Sequence, residues 1–428
     1  MMDKEVNKVL LVGTTNHLRS ENTSQEYLDE LEKLAFTLGY KTVGRVIVKL
    51  RDVSPSTFIG KGKAWEIKEL ALRTGADEVI FDDDLSPRQL KNLEEITGKE
   101  ITDRTGMILE IFANHARTKE AKTQIELASL EYLLPRLRRR WTHLERQIGG
   151  IGVRGGAGET QLEVDRRLVR ERIAKLRREL AEIEKERAVQ RKRRDSMFRI
   201  SLVGYTNTGK STIMNLLTPA NVKAEDKLFA TLDTTTRIWN IDRHHKVLLS
   251  DTIGFIRKLP HNLIASFRST LREVEEADLI IKVADISSSQ CLEQLESVDE
   301  VLKQIGANHK PSIIVFNKID TMNEEIFKKA RQLYPQAIFI SALQKLKVDS
   351  IRQAVLETIK KEEIELSLNL PLVKTKEISL LKNNVQILNE TYLDGIANIK
   401  FRCYKKVWKW LEAKIYKNLS TEKANTQG

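Results

Sequence analysis

Apolar and polar positions alternate in two ways over residues 1–116. Short runs rich in β-branched residues predict strands, and stretches with an apolar residue at every third or fourth position predict amphipathic helices. The predicted strands are KVLLVG, TVGRVIVKL, EVIFDD and EITDRTGMIL. The predicted helices are YLDELEKLAFTLG, AWEIKELALRTG and SPRQLKNLEEITG, the last with Ser86 as its cap and Pro87 in its first turn. Regular alternation of this kind predicts a small, largely parallel α/β domain.

A different period begins near residue 117. Apolar residues recur at alternating steps of three and four from Leu127 to Ile148, and again from Val169 to Ile183. Two such seams separated by a glycine-rich stretch predict an antiparallel helical hairpin, which with a charged linker occupies residues 117–195. A first arm over 117–148 would be about 48 Å long at about 1.5 Å per residue.

The strand and helix patterns alternate again over residues 196–362. The predicted strands are FRISLVG, KVLLSDT, DLIIKVAD, SIIVFNK and AIFISA, which indicates a second α/β domain. A last segment, 363–428, predicts a small module with a β-hairpin that turns at Asp394-Gly395, followed by a helix. The chain is therefore expected to contain an N-terminal domain (1–116), the hairpin and linker (117–195), a second α/β domain (196–362) and this module.

Composition indicates a soluble protein of the cytoplasm. The chain is 41% hydrophobic and 31% charged, has two distant cysteines, and lacks an apolar run long enough to cross a membrane. The apolar run near the start is too short for a signal peptide. We therefore expect no integral membrane association, although peripheral contact with a membrane stays open, and we expect a monomer.

The net charge of +12 is concentrated in one segment, since residues 136–194 hold 19 Lys and Arg against nine Asp and Glu. The preference for arginine favours phosphate recognition, because guanidinium groups bind phosphate bidentately. A solvated helical surface is the alternative. The candidate RNA-binding residues are Arg136, Arg138, Arg139, Arg140, Arg146, Arg154, Arg166 and Arg167.

Two glycine-rich stretches could suggest anion binding. Residues 148–160, IGGIGVRGGAGET, contain G-x-G-x-x-G, but the stretch follows a predicted helix and lacks a Lys-Ser pair. We expect no nucleotide cofactor there, and instead a loop that presses its backbone against RNA, with a flexible hinge as the alternative. The second stretch, FIGKGKAW at 58–65, is best interpreted as a plain turn.

Residues 204–212, GYTNTGKST, match G-x-x-x-x-G-K-[ST] directly after a predicted strand. Gly204 and Gly209 allow the backbone N–H groups to surround a β-phosphate. Lys210 would reach the β- and γ-phosphates, and the Ser211 hydroxyl would bind Mg²⁺. The other candidate nucleotide-binding residues of this phosphate loop are Tyr205, Thr206, Asn207, Thr208 and Thr212.

A guanine pocket is predicted at the ends of two later strands. The carboxylate of Asp320, in NKID, can accept hydrogen bonds from N1–H and the 2-amino group of guanine, whereas adenine would leave it unpaired. Asn317 would contact the base edge, Lys318 would cover the ring, and the Ala342 amide would face O6. Ser341 and Leu343 flank that amide and are also candidate nucleotide-binding residues.

The residues that respond to the γ-phosphate are predicted in two segments. In Asp251-Thr252-Ile253-Gly254, Asp251 would hold Mg²⁺ through water and the Gly254 amide would sense the γ-phosphate. The segment LFATLDTTTR at 228–237 would be the first switch, with Thr231 as the Mg²⁺ ligand and Thr234 or Thr235 as alternatives. Its other candidate nucleotide contacts are Phe229, Ala230, Leu232 and Asp233.

The residue that would order the attacking water is not identified. Phe255 stands where Ras-like enzymes have a glutamine, so intrinsic GTP hydrolysis should be slow. A partner, a different side chain or a cation would then order the water. Asn207 is a candidate K⁺ ligand, or alternatively a residue that tolerates left-handed backbone geometry.

Four specific strings make the chain resemble the HflX family of translational GTPases, in the Obg-like branch. They are GGIGVRGGAGETQLEVDRR, GYTNTGKSTIMNLLT, LFATLDTTTR and DTIGFIRKLPHNLIASFRSTLREV. The resemblance extends to about residue 360. It implies a P-loop GTPase that uses Mg²⁺, binds the large ribosomal subunit and its rRNA through the hairpin, and splits stalled or idle ribosomes. The family usually has a proline where this chain has Thr234, which puts the rigidity of the first switch in question.

We therefore expect a GTP hydrolase, slow alone and stimulated by the ribosome, that acts as a GTP-driven switch on ribosomes. The γ-phosphate and Mg²⁺ would order the two switch segments, and hydrolysis would release them. Two other functions stay open. One is an RNA-dependent NTPase that remodels RNA, and the other is an RNA-binding factor of ribosome assembly that GTP regulates or merely stabilises.

Overall fold

The computed structural model describes residues 6–15, 21–137, 161–192, 197–219, 228–229, 234–257 and 268–425. Residue contacts divide the chain into two units. The first unit comprises the described residues up to Ile183, together with Leu228 and Phe229. The second comprises the other described residues from Glu184 onward.

The first unit contains a four-stranded parallel sheet in the order β2-β1-β3-β4. Its strands are β1 (Lys8–Thr15), β2 (Lys41–Lys49), β3 (Glu78–Phe81) and β4 (Glu100–Asp103). The helices that connect and follow them are α1 (Glu21–Leu38), α2 (Lys61–Thr74), α3 (Pro87–Thr97) and α4 (Arg104–His115). Residues Val9–Val12 of β1 are fully buried, as a sheet covered on both faces requires. The predicted parallel α/β layer is confirmed, including the cap of α3 at Ser86.

The predicted strand EITDRTGMIL is wrong in its second half. The strand ends at Asp103, whose side chain accepts a hydrogen bond from the Gly106 amide at 2.9 Å and caps α4. The apolar residues from Met107 to Leu109 are therefore buried on a helix. A short apolar run fits a buried strand and a buried helix equally well, and the Asp103 cap was the signal that distinguished them.

Two further helices follow the sheet, α5 (Lys119–Leu133) and α6 (Gln161–Lys192), and a 3₁₀ turn at Leu134–Arg136 extends α5. The predicted seam residues from both helices pack in one cluster, formed by Leu127, Leu130, Leu134, Leu137, Val169, Ile173, Leu176 and Leu180. The α-helix ends before Pro135, because proline lacks the N–H that would continue it. The prediction of one unbroken helical arm from 117 to 148 is therefore wrong. The remaining seam residues Trp141, Leu144 and Ile148 lie outside the described residues.

Two ion pairs also join α5 and α6. Arg172 forms an ion pair with Glu126 at 2.6 Å, and Arg177 forms one with Glu131 at 2.7 Å. These ion pairs and the shared apolar cluster hold the two helices against each other.

The second unit contains a six-stranded sheet in the order β10-β9-β8-β5-β7-β6, in which only β6 is antiparallel to its neighbour. The strands are β5 (Phe198–Gly204), β6 (Thr235–Asn240), β7 (Lys246–Asp251), β8 (Leu279–Asp285), β9 (Ser312–Asn317) and β10 (Ile338–Phe339). The helices are α7 (Lys210–Leu217), α8 (Arg268–Glu275), α9 (Cys291–Gln304), α10 (Glu324–Leu333) and α11 (Asp349–Lys361). All five predicted strands are present, whereas β6 was missed within the predicted first switch.

The chain continues into a three-stranded antiparallel sheet in the order β11-β13-β12. Its elements are β11 (Glu363–Pro371), α12 (Thr375–Asn384), β12 (Gln386–Leu393), β13 (Ile396–Tyr404) and α13 (Lys405–Asn425). The hairpin turns at Asp394 and Gly395, both with positive φ, as predicted. Tyr404 packs edge-to-face on Phe198 with ring centres 4.9 Å apart, which fixes the module to the six-stranded sheet. Among the described helices, none is long and apolar enough to cross a membrane.

Candidate active site

The carboxyl ends of the parallel strands place the predicted site residues along one edge of the six-stranded sheet. β5 ends at Gly204, β7 at Asp251 and β9 at Asn317, and Ser341 follows β10. β5 lies between β7 and β8, where the strand order reverses direction. Ligands of open α/β sheets bind at such a reversal.

The loop between β5 and α7 requires its two glycines. A side chain at Gly204, where φ is +158°, would collide with the carbonyl oxygen of Val283. A side chain at Gly209, where φ is +90°, would collide with the amide nitrogen of Asn317. The chain turns directly into α7 at Lys210, and the first N–H groups of a helix, which have no acceptor within it, favour anion binding.

Lys210 is buried at the centre of this loop. Its ammonium group donates hydrogen bonds to the carbonyl oxygens of Gly204 at 3.1 Å and Tyr205 at 2.7 Å. Burial lowers the pKa of Lys210 to about 8, and the nearby Asp251 carboxylate only partly opposes the shift. A cation with so little compensating negative charge is suited to bind an anion.

Two oxygen donors for a divalent cation lie beside Lys210. The Ser211 hydroxyl donates a hydrogen bond to the Asp251 carboxylate at 2.6 Å, and Asp251 is fully buried. A hydroxyl and a carboxylate fit Mg²⁺, which prefers hard oxygen ligands and usually keeps several waters. The third predicted participant, Thr231, lies outside the described residues, as do Ala230, Leu232 and Asp233.

The segment after Asp251 lies against the phosphate loop. The Phe255 amide donates to the Gly204 carbonyl at 3.0 Å, and the Thr206 amide donates to the Phe255 carbonyl at 2.8 Å. The Phe255 side chain is buried and cannot order a water molecule. Two buried neighbours, Thr252 and Ile253, complete the segment, and the Thr252 hydroxyl donates to the Leu202 carbonyl at 2.7 Å.

On the predicted base side, Asn317 connects two loops. Its amide nitrogen donates to the Thr208 carbonyl at 2.8 Å, and its amide oxygen accepts from the Ala342 N–H at 2.9 Å. Asn317 therefore supports the phosphate loop, and in this conformation the Ala342 amide is directed at Asn317. Sequence reasoning had given both groups only a base contact.

Exposed groups surround this pair. Asp320 is exposed, and Leu343 is 76% exposed. Lys318 has a left-handed φ of +66° and an ion pair with Asp285 at 2.7 Å. The Ser341 hydroxyl accepts a hydrogen bond from the Gln344 amide at 3.1 Å. Asp285 was missed by sequence reasoning, although it ends β8 at the same edge of the sheet.

The loop position of Asn207 is consistent with the interpretation that this residue is there because it tolerates left-handed backbone geometry. Asn207 is exposed and has a φ of +59°, a conformation that asparagine tolerates better than most residues. Two other loop residues are held internally, since the Thr208 hydroxyl donates to the Tyr205 carbonyl at 3.0 Å and the Tyr205 hydroxyl accepts from the Arg257 amide at 2.6 Å. The link from Tyr205 to Arg257 had no sequence signal.

Among the nucleotide contacts predicted in the first switch, Phe229 is the residue that the structure describes. It belongs to the first unit. It is 2% exposed, has a φ of +58°, and packs edge-to-face on Phe112 with ring centres 4.6 Å apart. The structure thus gives Phe229 an aromatic protein partner rather than an open position.

The predicted RNA-binding arginines are described only in part. Arg136 donates to the Leu85 carbonyl at 2.8 Å, pairs with Asp103 at 3.3 Å and lies over the Tyr132 ring, so its guanidinium group is used internally. Arg166 is half-buried, and Arg167 is exposed and pairs with Glu171 at 3.5 Å. Arg138, Arg139, Arg140, Arg146 and Arg154 lie outside the described residues, as does the glycine-rich stretch 148–160.

Three protein-family models match consecutive parts of the chain. They are "GTP-binding GTPase N-terminal" over residues 25–113, "GTP-binding GTPase Middle Region" over 115–194, and "50S ribosome-binding GTPase" over 199–318. The third match includes the phosphate loop, Asp251 and Asn317.

Curated relatives named GTPase HflX are similar over most of the chain. The protein from Flavobacterium psychrophilum is 45% identical over 389 residues, which cover 85% of this chain and 94% of that protein. The protein from Escherichia coli is 43% identical over 356 residues, which cover 82% of this chain and 83% of that protein.

A solved structure also aligns with the chain. It is a GTP-binding protein from the hyperthermophilic archaeon Sulfolobus solfataricus in complex with GDP, 26% identical, with a TM-score of 0.42. The alignment covers 83% of this chain and 99% of that one.

Proposed function

Because the chain belongs to the HflX family of GTPases and is a GTP hydrolase, we propose that it binds the large ribosomal subunit and dissociates stalled or idle ribosomes. Binding of GTP sets the state that acts on the ribosome, and hydrolysis resets it. The observation that carries the nucleotide part is the convergence of Lys210, Ser211 and Asp251 at one sheet edge.

In this proposal the phosphate loop from Gly204 to Thr212 surrounds the β-phosphate. Lys210 exchanges its two carbonyl contacts for phosphate oxygens, which supply the missing negative charge. Ser211 binds Mg²⁺ directly and Asp251 holds it through water, while Thr231 completes the site and the Gly254 amide meets the γ-phosphate. Asn207 is the candidate K⁺ ligand.

Asp320 recognises guanine, with Lys318 over the ring and Ala342 at O6. The exposed position of the Asp320 carboxylate supports this assignment. For O6 to be bound, the Ala342 amide must release or share its contact with Asn317. Guanine recognition therefore includes a small rearrangement of the Ser341–Leu343 loop.

The ribosome part of the proposal is supported by the name of the family model over residues 199–318 and by the excess of arginine in residues 136–194. We assign rRNA contact to Arg138, Arg139, Arg140, Arg146, Arg154, Arg166 and Arg167. Arg136 is omitted, because its internal partners already use its guanidinium group.

The test is GTP turnover and binding with purified large ribosomal subunits, in K⁺ and in Na⁺. Turnover should rise when subunits are added, and a K⁺ requirement would support Asn207 as its ligand. Replacing Arg138, Arg139 and Arg140 with Ala should lower subunit affinity and its salt dependence while leaving GTP affinity unchanged.

The matched control replaces three exposed cations of the second unit that lie outside the predicted switch segments, Arg243, Lys246 and Lys328, with Ala. Both variants lose the same charge, so only the first should lose ribosome affinity. Equal losses, or an unchanged salt slope in the first variant, would reject the proposed RNA surface.

A further inference from the structure

Thr206 lies in the phosphate loop, and its side chain has no assigned role in binding the nucleotide. We propose that the Thr206 hydroxyl orders the attacking water during GTP hydrolysis, the task for which Phe255 has no polar group. The inference rests on the proposed placement of the phosphates along the loop, and it adds the catalytic group that the sequence left unassigned.

Thr206 lies where the loop meets the proposed γ-phosphate sensor. Its amide is bonded to the Phe255 carbonyl at 2.8 Å. A Cβ atom built on Gly254 would lie 2.8 Å from both Cα and Cγ2 of Thr206, and 3.2 Å from the Lys210 ammonium nitrogen. Thr206, Gly254 and Lys210 therefore converge on one small volume, and Lys210 and Gly254 are the two groups expected to meet the γ-phosphate.

The Thr206 hydroxyl is buried and unsatisfied. Thr206 is 6% exposed, and within the part of the chain that the structure describes its Oγ1 makes no hydrogen bond. Buried threonines nearby differ, since Thr208 donates to Tyr205, Thr252 to Leu202 and Thr218 to Met214. A buried hydroxyl without a hydrogen-bond partner destabilises the fold, so we expect the Thr206 hydroxyl to form a hydrogen bond with a ligand.

Packing alone does not account for a hydroxyl at this position. The contact with Gly254 is made by backbone Cα and by the methyl carbon Cγ2, and valine would provide both. Threonine differs from valine by the one polar atom that finds no protein partner. Phe255, buried and apolar, cannot supply that function.

A hydroxyl can accept one hydrogen bond while it donates another, as the glutamine amide of Ras-like enzymes does with two atoms. Oγ1 of Thr206 accepts from the attacking water and donates to a γ-phosphate oxygen. The water oxygen bonds to the γ-phosphorus, and the bond from phosphorus to the β–γ bridging oxygen breaks with its electron pair left on GDP. Both water protons leave on the phosphate as H₂PO₄⁻, and Thr206 keeps its own.

The test compares Thr206→Val with Thr206→Ser in the full chain, in single-turnover GTP hydrolysis with and without large ribosomal subunits. Valine keeps the shape and removes the hydroxyl, so the hydrolysis rate should fall by about 10²-fold, the loss typical of one catalytic hydrogen-bond donor. Serine should restore the rate to within about threefold. The affinity for GDP should not change and that for GTP should fall by less than about tenfold, the loss of one hydrogen bond to the γ-phosphate, whereas GDP with fluoroaluminate, which mimics the transition state, should bind Thr206→Val more weakly.

Thr218→Val is the matched control, because it removes a buried threonine hydroxyl just beyond α7 and outside the site. It should hydrolyse GTP at the wild-type rate. A wild-type rate in Thr206→Val would overturn the proposal, and so would a serine variant as slow as the valine variant. Loss of GTP and GDP binding in Thr206→Val would also overturn it, since the role would then be structural. Failure of the wild-type chain to bind GTP would instead contradict the proposed nucleotide site.

Discussion

Replacing Asn317 with Ala tests whether this residue holds the nucleotide site together. Asn317 is 2% exposed, and its side chain bridges the Thr208 carbonyl in the phosphate loop to the Ala342 amide in the base loop. Alanine would leave both buried backbone groups unpaired. Each unpaired group costs about 1–3 kcal/mol, so the loop arrangement should lose about 2–6 kcal/mol.

This loss should appear mainly in nucleotide binding, because the loops can rearrange in the free protein but not around a bound nucleotide. We expect the affinity for GDP and GTP to fall by at least 30-fold, the equivalent of about 2 kcal/mol. The assay is equilibrium titration with a fluorescent guanine nucleotide, alongside urea unfolding of the nucleotide-free chain.

Asn323→Ala is the control, since Asn323 caps α10 by accepting from the Glu325 and Ile326 amides and is exposed. It should lower the free energy of unfolding by about 1 kcal/mol without weakening nucleotide binding. A nucleotide affinity within threefold of wild type in Asn317→Ala would refute the bridging role. Equal affinity losses in both variants would do so as well.

Three further predictions concern titration and buried charge. The pKa of Lys210 is lowered to about 8, and its ammonium group must be charged to bind phosphate. GTP affinity should therefore be constant below about pH 7.5 and decline as pH rises through about 8 to 9. A GTP affinity that does not change with pH in a binding titration would contradict this. The pKa of His245 is raised by hydrogen bonds to Glu363 and Asp242. Its contribution to stability should therefore be full below about pH 6.5 and vanish as pH rises through the folded pKa. In urea unfolding, the difference in free energy of unfolding between wild type and His245→Gln should be smaller at pH 9 than at pH 6. Arg136→Ala should destabilise the first unit by about 3 kcal/mol in urea unfolding, because it leaves the buried Asp103 carboxylate without its cationic partner. A change below about 0.5 kcal/mol would show that this ion pair contributes little to stability.

Local sequence signals predicted much of the fold. Ser86 and Pro87 marked the start of α3, and Asp394-Gly395 marked the hairpin of the last module, because each residue type has a specific backbone reason to be there. The phosphate-loop motif also predicted which strand precedes it. These signals depend on neighbouring residues alone.

Features that depend on contacts between residues far apart in the sequence could not be predicted from the sequence. The seam residues were identified correctly, but the ion pairs between α5 and α6, such as Arg172 with Glu126, depend on how the two helices pack. The internal use of Arg136 depends on Asp103, and the bridging role of Asn317 depends on Ala342. The type of a residue indicates which role its side chain could have. The contacts that form on folding decide whether that side chain is available for the role.

The central claim is that the nucleotide state controls action on the ribosome. The most direct measurement is co-sedimentation of the full chain with purified large ribosomal subunits, in GDP and in a non-hydrolysable GTP analogue at the same salt concentration. A GTP-driven switch should bind the subunits substantially more tightly with the analogue. Equal affinities in the two nucleotides would contradict a GTP-driven switch and leave an RNA-binding protein that GTP merely stabilises.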